Sequence, residues 1–141
     1  MDLGTFGAII KFALEVEEEV KSFYKKVSEL ARNDALVRLL GDLVTRGQKR
    51  INTLERVRRE NVTEMILEPI EGLDSDSFSI KTSDSGDIDD ATIKTLASAI
   101  ETTLQRFYTI AAKKIDFLPE VEYAFELLAE KNESAIKQLS V

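Results

Sequence analysis

Glu17 and Glu101 occupy the same place in two similar stretches of this 141-residue sequence. Each lies seven residues ahead of the tyrosine of a Phe-Tyr pair, Phe23-Tyr24 in one stretch and Phe107-Tyr108 in the other. Seven residues is about two helical turns, so glutamate and tyrosine share one face of a helix. A carboxylate so placed can accept hydrogen bonds, pair with a cation or bind a hard metal ion, and a nearby phenol can donate to it. The rest of the composition narrows that chemistry. There is no histidine, which removes the usual general base near neutral pH and the commonest transition-metal ligand. There is no cysteine either, so thiolate nucleophiles, iron–sulfur clusters, Cys-ligated zinc and disulfides are excluded. Any metal would need an all-oxygen shell.

The elements that must position these residues are legible from periodicity. Spacings of alternately four and three residues define a stripe on one helix face. In the first helix that stripe runs Phe6, Ile10, Ala13, Glu17, Val20, Tyr24, Val27, and Glu17 is its only charged member. Ala97, Glu101, Leu104, Tyr108 and Ala111 repeat the pattern in a third helix. The second helix contributes Leu43, Gly47, Arg50 and Leu54, and the fourth contributes Leu128, Asn132, Ala135 and Leu139. Every polar intruder falls near mid-helix, so antiparallel packing is expected to bring them to one level. A lone glutamate in such a stripe ordinarily sits at its edge and reaches water. Two repeat-related glutamates facing an arginine and an asparagine favour a buried cluster, because a buried charge must be paired or ligate a metal.

The predicted organisation is one domain over 1–141, with helices over about 3–31, 34–61, 89–115 and 119–139 and a long connection over 63–88. Asp34 and Asp89 or Asp90 are expected as N-caps, and Pro119 suits a first helical turn. The connection is rich in Ser, Asp and Gly, with an extended piece expected at Phe78-Ser79-Ile80-Lys81. Short, long and short links predict two antiparallel helical hairpins joined by a crossover. Matching Glu, Tyr and Leu/Ile registers in the two halves point to duplication.

The net charge of −7 argues against a nucleic-acid partner, since duplex binding needs clustered Lys and Arg. Arg46, Lys49, Arg56, Arg58 and Arg59 are interrupted by Asp42, Glu55 and Glu60 and read as a solvated face. No apolar run approaches the roughly 20 residues that span a bilayer, so no membrane partner is expected. The N-terminus turns acidic after its apolar stretch and does not read as a signal peptide, which makes a cytoplasmic location the expectation. The acidic stretch near residue 80 lacks the spacing of an EF-hand.

The Glu seven residues before the Tyr of a Phe-Tyr pair, followed after a short loop by a second helix of form LxxLxxxxxxxI (Leu40, Leu43, Ile51), resembles the rubrerythrin-like branch of the ferritin-like superfamily. The resemblance covers all four helices. It implies an all-α ferritin-like antiparallel four-helix bundle with a long crossover between the second and third helices. In that family each hairpin supplies one Glu from its first helix and a Glu-x-x-His pair from its second, together holding two iron ions. Glu17 and Glu101 match the first-helix ligands. Gly47 and Asn132 stand where the paired glutamates would be, and Arg50 and Ala135 where the histidines would be.

With four of six ligand positions changed, the expectation is a protein that has lost di-iron oxidoreductase activity and serves a structural or interaction role, and the reading leans away from a present-day enzyme. No cofactor is expected. Arg50 is expected to replace the metals, its planar guanidinium bridging Glu17 and Glu101. Gly47 would leave it room, Asn132 would satisfy a further lone pair, and Tyr24 and Tyr108 would donate to the carboxylates. The alternative keeps Glu17 and Glu101 as remnant ligands of iron or another divalent cation. In further alternatives Arg50 turns outward to the surface, or Gly47 serves only close helix packing. A homodimer or larger homo-oligomer is expected, with Ile9, Val16 and Leu39 as exposed apolar positions for its interface.

Overall fold

The computed structural model describes residues 1–61, 69–82 and 88–140. Among these residues lie four long α-helices: α1 (Phe6–Leu30), α2 (Asp34–Glu60), α3 (Asp90–Lys114) and α4 (Pro119–Leu139). They contain no strand, and the only β-type pairing among them is an isolated bridge between Asp2 and Asp74. The architecture is all-helical and compatible with a four-helix bundle. Among the described residues no helix is long and apolar enough to cross a membrane.

Each helix begins where the chain offers a way to satisfy orphan N–H groups. The Thr5 hydroxyl accepts from Ala8 N at 3.0 Å, and the Asp89 carboxylate accepts from Thr92 N at 2.8 Å. At α2 the cap is Asn33, whose side chain accepts from Leu36 N at 3.1 Å. Asp34, expected as the cap, instead sits in the first turn, where its charge complements the helix dipole. No side chain caps α4; Pro119 sits in its first turn with no N–H to satisfy.

The three-residue link after α1 folds α2 back against it, and a comparably short link pairs α3 with α4. Between the two hairpins α1 faces α3 and α2 faces α4. The Asp90 carboxylate at the start of α3 accepts from the backbone N–H groups of Arg32 (2.9 Å) and Asn33 (2.8 Å) at the α1–α2 turn. The start of α3 is therefore level with the end of α1, and the two helices run antiparallel.

Part of the connection expected over 63–88 lies outside the described residues, at 62–68 and 83–87. Its middle pairs with the N-terminal segment and sends Ile70, Leu73 and Phe78 into the core. Leu3 N donates to Leu73 O and Ile70 N to Gly4 O, both at 2.9 Å. Of the extended piece expected at Phe78–Lys81, Phe78 is corrected: it ends a 3-10 turn over Ser75–Phe78, and extended backbone begins at Ser79. Asp74 initiates the turn by accepting from Asp76 N at 2.9 Å, a local bond that competes with strand pairing. Phe78 packs edge-on against Phe107 at 5.2 Å, with the Arg106 guanidinium 4.8 Å above its ring.

The apolar stripes meet in one core, and here a second expectation is overturned. Ile9 is fully buried rather than exposed, and Val16 and Leu39 are half-buried against that core. Ile9 adjoins Ile10 and Phe6 on a broad apolar face, wider than the four-three stripe that predicted its exposure. Large hydrophobic side chains that do face solvent include Leu30, Tyr123 and Leu127.

Candidate functional site

Among the described residues, four polar side chains lie inside the core: Glu17 of α1, Arg50 of α2, Glu101 of α3 and Asn132 of α4, none more than 1% exposed. Each helix supplies one, at mid-length, because the apolar residues before and after it place that point of the stripe on the bundle axis. Tyr24 and Tyr108, also at 0% exposure, complete the cluster.

Arg50 is the hub. Its Nε donates to Glu17 Oε2 at 2.8 Å, and its Nη2 lies 3.6 Å from Glu101 Oε2, close enough for an ion pair though too long for a good hydrogen bond. The tyrosines cross between hairpins. Tyr24 of α1 donates to Glu101 Oε2 at 2.6 Å, while Tyr108 of α3 donates to Glu17 Oε2 through a short bond. This reciprocity follows from the antiparallel register of α1 and α3, which sets each Tyr level with the other helix's Glu. Asn132 Nδ2 donates to Glu101 Oε1 at 2.9 Å. Glu101 of α3 is thus tied to α1, α2 and α4, and Glu17 of α1 to α2 and α3.

Two carboxylates and one guanidinium leave one formal negative charge in an apolar interior. Burial pushes the Glu17 carboxyl above the ordinary glutamate range, and the Glu101 charge adds to this; Arg50 and the Tyr108 hydrogen bond oppose it. Burial alone would depress the Arg50 guanidinium, but the Glu17 and Glu101 carboxylates outweigh that and hold it firmly protonated. Both phenols are driven well above the usual tyrosine range, first by burial and then by the carboxylates they face, so they remain donors.

Not every polar atom is satisfied. Among the described residues, Glu17 Oε1, Arg50 Nη1 and Nη2, and Asn132 Oδ1 are buried without a hydrogen-bond partner. Gly47 lies one turn before Arg50. A β-carbon built there would lie 3.9 Å from Arg50 Nη2 and 3.8 Å from Lys21 Cβ, in ordinary van der Waals contact, so the missing side chain leaves space beside the guanidinium.

The donor set does not fit a di-iron centre. Among the described residues no group of three or more His, Cys, Asp and Glu is placed to hold a metal ion. The two glutamates that share a site have a guanidinium between them, with no histidine to complete a coordination shell. Open clefts lie elsewhere, one of about 450 Å³ beside Asn33, Leu36, Asp90 and Lys94 at the end of the bundle.

Glu17, Arg50, Glu101, Asn132, Tyr24 and Tyr108 are all brought together. Beyond the expected cluster lie an aromatic pair and one lysine. Phe125 and Phe107 pack edge-on against the Tyr108 ring at 5.6 and 5.4 Å and hold its phenol in place. Lys21 stands over Gly47, its ammonium donating to Gln48 Oε1 at 2.7 Å. The i,i+4 spacing of Lys21 from Glu17 was the available signal for the second. No protein-family model, curated protein or solved structure matches this chain.

Proposed function

We propose that this chain is a ferritin-like bundle of the rubrerythrin type, with a crossover between α2 and α3, in which a buried arginine has taken over the charge-balancing place of metal ions. Its role on this reading is structural or interactive rather than oxidative. The observation that carries it is the Arg50 guanidinium seated between Glu17 and Glu101, 2.8 Å from one and 3.6 Å from the other. A permanently charged guanidinium binds two carboxylates without redox chemistry and without an open coordination position. The crossover reading draws support from α2 ending at the opposite end of the bundle from the start of α3, which the Asp90 contacts place at the α1–α2 turn. Self-association into a homodimer or larger homo-oligomer belongs to the same proposal, and sedimentation equilibrium measures it.

A second reading, a hard-cation site using Glu17 and Glu101, draws on the excess negative charge of the cluster. Metal analysis separates the two. Protein purified without chelator and then loaded aerobically with iron is expected to retain no stoichiometric metal. Stoichiometric iron or manganese that disappears in Glu17→Ala would overturn the arginine-centred reading in favour of the second.

A further inference from the structure

We infer that the notch at Gly47 is an internal water site, one molecule deep, that supplies a hydrogen-bond partner to Arg50 Nη2. The inference stands on the kinds of atom left unpartnered and on the space beside one of them. Two are acceptors, Glu17 Oε1 and Asn132 Oδ1, and two are donors, Arg50 Nη1 and Nη2. An anion placed among them would be repelled by the carboxylate and amide oxygens, and a metal cation by the guanidinium. A ligand that both donates and accepts suits the set, and water does so with two O–H groups and two lone pairs. Buried waters typically make about three hydrogen bonds to groups of this kind.

The space is at Gly47. This glycine lies mid-helix in α2 and is buried, a position where Gly costs about 1 kcal/mol relative to Ala unless something uses its missing side chain. A β-carbon there would meet its nearest neighbours at 3.8 and 3.9 Å, which is ordinary van der Waals contact. A methyl-sized volume is therefore free next to Arg50 Nη2. The stem of Lys21 walls it on the outer side, with the ammonium fastened to Gln48 at 2.7 Å and to Glu18 at 3.3 Å. The site so formed is polar on its Arg50 side and lies at a buried position of α2.

The test compares wild type, Gly47→Ala and Gly47→Ser, all within the intact chain. A high-resolution crystal structure of the wild type is expected to show ordered density within about 3.2 Å of Arg50 Nη2. That density should be gone in Gly47→Ala and replaced by the hydroxyl in Gly47→Ser. Helix propensity alone ranks Ala above Ser. A water-filled notch reverses the order, so Gly47→Ser is expected to melt above Gly47→Ala. A dry notch in the wild type overturns the inference, and so does Gly47→Ala melting above both wild type and Gly47→Ser.

Discussion

Tyr108 of α3 donates its phenol to Glu17 of α1, and the same two helices exchange the reverse bond from Tyr24 to Glu101. The two hairpins are thereby joined through each other's carboxylates rather than through their own. Within each hairpin the glutamate also has a partner of its own, Arg50 for Glu17 and Asn132 for Glu101, so the crossed tyrosine bonds add to the network only when the two halves are correctly paired.

Removing the hub leaves two uncompensated carboxylates in an apolar interior. Arg50→Leu is expected to destabilise the fold by about 3–5 kcal/mol, the usual cost of breaking a buried pair from one side. Denaturant titration measures this. An unchanged midpoint would mean that Arg50 is not held between Glu17 and Glu101.

The tyrosines come next. Tyr24→Phe and Tyr108→Phe each remove one hydrogen bond to a buried acid and keep the ring, so each should cost about 1.5–3 kcal/mol. Both bonds feed a network centred on Arg50, and the double variant should depart from additivity. Independent, additive losses would show that the cluster is two separate bonds.

Glu17 has a pKa raised above its unfolded value by burial. A raised folded-state pKa means the native state binds the proton more tightly. The associated stability is full below the ordinary glutamate pKa and is lost as pH rises through the folded value. Glu17→Gln cannot titrate, so wild type should lose stability relative to Glu17→Gln as pH increases from about 4 toward 8. Chemical denaturation across that range reads the difference directly. Parallel curves, or a wild type that gains on the variant, would contradict the assignment.

Gly72 has φ of +76°, in the left-handed region, and Lys114 Nζ would lie 3.1 Å from a β-carbon there. Gly72→Ala should cost about 1–2 kcal/mol. Gly41→Ala is the control: it is exposed on α2 with nothing within 4 Å, and should gain up to about 1 kcal/mol from helix propensity. Equal responses at the two positions would rule out backbone conformation as the cause.

Much of this was legible before any coordinates. The four-three periodicity identified Glu17, Arg50, Glu101 and Asn132 as polar residues on apolar faces, because a helix turns by a nearly constant angle whatever it packs against. Capping and proline signals marked the starts of α2, α3 and α4 to within a residue, with Asn33 capping in place of Asp34, whereas α1 begins at Phe6 behind a Thr5 cap rather than near residue 3. Ile9 was misplaced because a stripe one residue wide understates the arc that a helix buries between two neighbours. Phe78 was misjudged because a four-residue segment carries too little period to place the boundary between extended backbone and the turn initiated by Asp74.

By itself, then, the sequence determined that Glu17, Arg50, Glu101 and Asn132 turn inward and at what height along each helix. Those properties follow from backbone geometry, which is local. Which partner each polar atom finds was decided only by tertiary structure. That Tyr24 bonds Glu101 rather than Glu17, that Arg50 spends Nε on one glutamate and only approaches the other, and that Gly47 leaves a methyl-sized notch beside Nη2 all depend on relative helix positions to within an ångström. That register comes from packing the whole core, and no single helix encodes it.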